Sequence, residues 1–156
     1  MVLPEDAVIL LVDDSPEDVK AIKRGLDKVN VHNRLIVIQN PGEALHALRG
    51  DGKYGDREKY PLPNLILLNL LMQKCDGFAL LEQIRANPAC KTIRVIGLAA
   101  GERIEEVNRA YDAGASACVV KPAEKEGYED LLQGISSYWL RRNAMPEVGE
   151  AVTSIG

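Results

Sequence analysis

Five short, largely apolar runs punctuate the chain: AVILLV at 7–12, RLIVI at 34–38, NLILL at 64–68, IRVIGL at 93–98 and ACVV at 117–120. Because they are continuous rather than alternating, they suit strands buried on both faces, as in a parallel sheet. Between them, apolar residues recur at steps of three and four, the period of a helix with one buried stripe. SPED announces the first helix, with Ser15 as N-cap, Pro16 at the first helical position and acids in the first turn. Its stripe is Val19, Ile22, Leu26 and Val29. NPGEALHAL opens the second helix, where Asn40 and Glu43 can cap and Pro41 starts the turn. The third holds Phe78, Leu81 and Ile84 and stops before Asn87 and Pro88. The fourth carries Ile104, Val107 and Tyr111 and closes at 112–114; the fifth carries Tyr128, Leu131, Leu132, Ile135 and Tyr138 and extends to Arg142.

Strand and helix thus alternate five times, which predicts right-handed βαβ units and a doubly wound α/β domain with helices on both faces of a parallel sheet. Two segments look irregular, 49–63 and the tail from Asn143, whose Pro, Gly, Glu and Ser without a stripe predict disorder over 143–156. At 156 residues, 46% hydrophobic, the chain fits one domain with a real core.

A net charge of −4 argues against a nucleic-acid binder, since phosphate backbones are held by clustered Lys and Arg. Cys75, Cys90 and Cys118 are an odd set without CxxC spacing, so neither a disulfide framework nor a zinc site is expected. The first residues lack a basic region, and two acids cut their apolar run short. Neither a signal peptide nor a membrane span is therefore predicted, and a cytoplasmic protein is expected.

In open α/β sheets the site lies beyond the carboxyl ends of the strands. The first strand delivers Asp13 and Asp14, the third Asn69, the fourth Ala99 and Ala100, and the fifth Lys121 and Pro122. Two adjacent carboxylates suit a hard cation such as Mg²⁺, or equally an acidic loop in which Asp14 or Ser15 caps the first helix. Lys121 can pair with these acids or meet a phosphoryl oxygen. His32 and His46 have no acid or cysteine partner at helical or turn spacing and read as surface residues. Cys118, beside Val119 and Val120, reads as a buried inert thiol. Tyr138 and Trp139 are adjacent on one helix, so only one can face inward and the other is free for a contact.

LLVDDSPED, NLILLNLLMQKCDG and ACVVKP, in this order and spacing, resemble the receiver domain of two-component response regulators over residues 6–142. VHNRLIVIQN, NPACKTIRVI and ISSYWLRR look most like stand-alone receivers that partner bacterial phytochrome kinases. The resemblance implies a flavodoxin-like (βα)5 fold with strand order 2-1-3-4-5. It implies a histidine kinase or another signalling protein as partner, with a homodimer through the fourth helix, fifth strand and fifth helix as a further expectation. It also implies a metal site at Asp13, Asp14, Asn69 and the Leu71 carbonyl, here expected to hold Mg²⁺ weakly and without requiring it.

In that family the third strand ends in an aspartate that takes a phosphoryl group. A strand-four hydroxyl then moves toward the phosphate, and an aromatic three residues before the lysine turns inward. Here the matching positions are Asn69, Ala99 and Cys118, with Lys121 retained. A carboxamide lacks the charge and usable lone pair of an acyl-phosphate nucleophile. Acceptor, trigger and readout are thus all altered, which reads as natural loss of the switch rather than one engineered change. The expectation is a protein-binding module and not an enzyme. The alternatives are a receiver phosphorylated at Asp76 or Asp14 and, below it, a Mg²⁺-dependent phosphotransfer enzyme. No GxGxxG or GxxxxGK[ST] follows a strand, and DDSPED would repel a flavin phosphate.

Overall fold

The computed structural model describes residues 1–101 and 103–149. Its sheet has five parallel strands, β1 (Ile9–Val12), β2 (Leu35–Ile38), β3 (Leu65–Asn69), β4 (Arg94–Ala99) and β5 (Ala117–Val120), in the order β2-β1-β3-β4-β5. The helices are α1 (Pro16–Lys28), α2 (Pro41–Arg49), α3 (Gly77–Ala86), α4 (Ile104–Ala113) and α5 (Tyr128–Ile135), the last continued by π-helical turns over Ser136–Arg142. The five-strand alternation, the strand order and the reach of the last helix are those expected. No helix among the described residues is long and apolar enough to cross a membrane.

Successive strand residues point to opposite faces, so one run feeds two cores. Leu10, Val12, Ile66 and Leu68 pack with Phe78, Leu81 and Ile84 of α3. Ile9, Leu11, Leu65 and Leu67 pack with Val19, Ile22 and Leu26 of α1 and Tyr128 and Leu132 of α5. The central strands β1 and β3 are buried throughout, while β2 and β5, each with one neighbour, are largely half-buried. A continuous apolar run therefore marks an edge strand here as well as a central one.

Local signals mostly hold. Ser15 Oγ accepts the Asp18 N–H at 3.2 Å to start α1, and Asn40 Oδ1 accepts the Gly42 N–H at 3.2 Å to start α2. Glu43 does not cap: its carboxylate accepts the Tyr54 hydroxyl at 2.9 Å, pinning part of the loop expected to be irregular. Arg57 also pins this loop, donating to the carbonyls of Ala47, Leu48 and Tyr60.

Two further expectations fail. In α4, Ile104 and Tyr111 stand 61% and 50% exposed, and Ala110 and Ala113 make the buried contact instead. The tail is docked as far as it is described. The Val2 N–H donates to Met145 O at 3.1 Å, Thr92 Oγ1 to Glu147 O at 2.8 Å and the Gly149 N–H to Ala89 O at 3.2 Å. Met145 itself is only 2% exposed. The folded unit thus includes residues 143–149, and the remainder of the expected disorder, 150–156, lies outside the described residues.

Candidate functional site

Parallel pairing brings the carboxyl ends of β1, β3 and β4 side by side: Val12 is in register with Leu68, and Asn69 with Leu98. Asp13, one residue past β1, is fully buried. Its Oδ1 accepts the Ser15 N–H at 3.0 Å and the Asn69 amide Nδ2–H at 3.1 Å. Its Oδ2 is buried and makes no hydrogen bond among the described residues. Burial raises the Asp13 pKa above the ordinary carboxylate value, the bonds from Ser15 and Asn69 and the charge of Lys121 only partly opposing it.

Asn69, also buried, spends both ends of its amide. Nδ2 donates to Asp13, and Oδ1 accepts the Leu71 N–H at 3.2 Å. The two bonds together fix which atom is oxygen, because reversing the amide would set an NH₂ against an N–H.

Asp14 ties down the following loop, its Oδ2 accepting the N–H groups of Gln73 at 2.8 Å and Lys74 at 3.1 Å. Asp76 caps α3 by accepting from Phe78 and Ala79, and Arg109 of α4 donates to it at 2.7 Å. Gly77 follows at the close approach of α3 to β3. A Cβ there would lie 2.6 Å from Asn69 O and Leu70 Cα, so only glycine seats the helix this near the site.

Lys121 does not pair with Asp13 or Asp14. Its Nζ donates to Asp18 Oδ2 at 2.7 Å, and Lys125 donates to Asp18 Oδ1 at 3.1 Å. Burial, the largest influence on Asp18, raises its pKa, but the bonds and charges of the two lysines outweigh it and hold the carboxyl below its ordinary value. Asp18 is the site residue that the sequence reading missed, since in SPED it reads as a first-turn acid and no more. Its partner Lys121 lies 103 residues away, so no local signal marked it.

Ala99 is buried at the end of β4 and carries no hydroxyl. Cys118 is half-buried; burial, with the charge of Glu106, pushes its thiol up, away from the reactive thiolate. Its N–H donates to the Tyr111 hydroxyl at 3.3 Å. Of the adjacent aromatics, Trp139 packs against the core and Tyr138 is exposed. The histidines do find acids, contrary to expectation: His46 Nδ1 lies 3.0 Å from Asp51 Oδ2 and His32 Nδ1 3.8 Å from Asp27 Oδ1. Both pairs are exposed, where such contacts contribute little.

The oxygen set expected for a divalent cation is one short, because the Asn69 amide oxygen is turned to the Leu71 N–H. No group of three or more acidic, His or Cys side chains suited to a metal occurs among the described residues. Asp13 offers one spare oxygen, Asp14 holds two backbone N–H groups through Oδ2 alone, and Asn69 turns its nitrogen rather than its oxygen toward Asp13. A hard ion wants several oxygens. Here the Asn69 N–H offsets part of the cost of the buried Asp13 charge.

Residues 9–133 match the model of the response regulator receiver domain. The response regulator Rcp1 of a Synechocystis species is 32% identical over 139 residues, covering 89% of this chain and 92% of that protein. The probable methanogenesis regulatory protein FilR2 of Methanothrix harundinacea is 28% identical over 142 residues, covering 89% and 87%. Among solved structures, the Mn²⁺-bound form of Rcp1 superposes with a TM-score of 0.79 over 90% of this chain and 99% of that one, at 32% identity. The phosphorylated cyanobacterial phytochrome response regulator RcpA gives a TM-score of 0.83 over 91% and 99%, at 27% identity. With the sheet order and strand-end residues described above, these matches show that the chain belongs to the response regulator receiver family.

Proposed function

We propose that this receiver works in two-component signalling as a protein-binding module that takes no phosphoryl group. A histidine kinase or another signalling protein is its partner, engaged directly or in competition with phosphorylated receivers. One observation carries the reading: the residue at the end of β3 is an amide whose nitrogen and oxygen are both committed, to Asp13 and to the Leu71 N–H. An acyl phosphate forms by attack of a carboxylate oxygen, and Asn69 has none.

The neighbouring positions support it. Ala99 has no hydroxyl to follow a phosphate, Cys118 has no ring to turn, and Lys121 pairs with Asp18. The alternative acceptors have other roles: Asp76 is engaged at both oxygens, by the start of α3 and by Arg109, and Asp14 holds two loop N–H groups through Oδ2. A homodimer through α4, β5 and α5 fits the exposed Ile104 and Tyr111.

Incubation with acetyl phosphate and Mg²⁺ followed by intact-mass measurement tests the reading. The unmodified mass is expected; a phosphoryl adduct mapped to Asp14 or Asp76 would replace it with the alternative-acceptor reading.

A further inference from the structure

The C-terminal ends of α2 and α3 border a cleft of about 540 Å³, at the end of the sheet opposite Asn69. Its walls carry Arg49, Arg57, Gln83 and Asn87 beside the aliphatic Leu48 and Leu62, and among the described residues no acidic side chain lines it. Neither guanidinium pairs with an acid among those residues.

Arg57 is already fixed in place. Its Nη1 donates to Ala47 O at 2.7 Å and Tyr60 O at 3.2 Å, and its Nη2 to Leu48 O at 3.0 Å. These bonds cover carbonyls at the end of α2, whose partial negative charge would otherwise oppose an anion. The Nε–H and the second Nη2–H remain, one edge of the planar fork that takes a carboxylate through two parallel bonds. Gly50 leaves that edge uncovered, since a Cβ there would lie 3.0 Å from Nη2 and 3.6 Å from Nε. Arg49 is exposed at the last position of α2. Asn87 Oδ1 accepts the Ala89 N–H at 3.1 Å, which leaves the amide NH₂ to donate.

We propose that this cleft binds a small carboxylate with an aliphatic body, its charge held by Arg57 and Arg49 and its chain laid against Leu48 and Leu62. The volume is that of a small-molecule site, and a few fixed donors beside an apolar wall select a ligand of this kind. Bound there, the ligand ties the loop after α2 to α3. It gives an input to a receiver whose strand-three residue accepts no phosphoryl group. The site goes beyond the binding-module reading and stands separately, because Asn69 forms no part of it.

The test is titration of the full ¹⁵N-labelled chain with hexanoate, acetate and hexanol, followed by NMR. Saturable shifts are expected with hexanoate at Gly50, Asn87 and Ala89. Acetate, without the chain, and hexanol, without the charge, should each bind at least about tenfold more weakly. Arg49→Gln and Gln83→Glu, both at exposed positions, remove a positive charge and add a negative one, and each should weaken hexanoate about tenfold while preserving the fold. Linear shifts without saturation would overturn the proposal. So would affinities unchanged in both variants, or hexanol bound as tightly as hexanoate. Glu150 follows Gly149, whose N–H donates to the carbonyl of Ala89 in the cleft wall. Hexanoate binding seen only in Glu150→Gln would therefore assign the cleft to the chain's own carboxylate and overturn the proposal as well.

Discussion

Asn69 and Asp13 form a buried pair in which an amide N–H faces a carboxylate at 3.1 Å. The cost of that carboxylate is visible in its raised pKa and in its unpartnered Oδ2. A carboxyl whose folded pKa lies above the unfolded value binds its proton more tightly when folded. Its contribution is therefore most favourable below the unfolded pKa and is lost as pH rises through the folded one. Asp13→Asn keeps the acceptor for Ser15 and Asn69 while removing the charge. The variant should match the wild type in acid and exceed it in stability at neutral pH. Urea unfolding across that pH range checks both the sign and the window.

At the level of elements, the site depends on how closely α3 approaches β3. Gly77→Ala forces a Cβ against Asn69 O and Leu70 and should cost about 1–3 kcal/mol in chemical denaturation, with shifted resonances at Asn69 and Leu71. What the sequence made legible here was local. Ser15 and Asn40 cap helices through contacts two or three residues away, and five apolar runs sufficed for the parallel sheet. What stayed hidden was non-local. Lys121 meets Asp18 across 103 residues, and no spacing rule distinguishes that acid from Asp13 or Asp14. The stripe in α4 misled for a related reason: Ile104 and Tyr111 follow helical spacing, yet the small Ala110 and Ala113 face the sheet. The candidate residues Asn69, Ala99 and Cys118 were legible by type and position, but the direction of the Asn69 amide required the structure.

For the whole molecule, two cores flank one sheet and the segment after the last helix closes over the end opposite the site. Met145, on that segment, was invisible to periodicity because one buried side chain and a few backbone bonds hold it, not a stripe. Met145→Ala should lower the global unfolding free energy by about 2 kcal/mol or more, measured by urea denaturation. Global stability also reports on the site, because any ligand of the folded state alone raises it. Asn69→Asp would set two carboxylates about 3 Å apart and cost an estimated 1–3 kcal/mol in the absence of metal. Mg²⁺ should then restore that loss by bridging them. The deciding measurement is the unfolding free energy of wild type and Asn69→Asp with Mg²⁺ and with chelator. The expected result is a wild type indifferent to Mg²⁺ beside a variant that needs it; a wild type stabilised by Mg²⁺ as strongly as the variant would contradict the role assigned to the Asn69 amide.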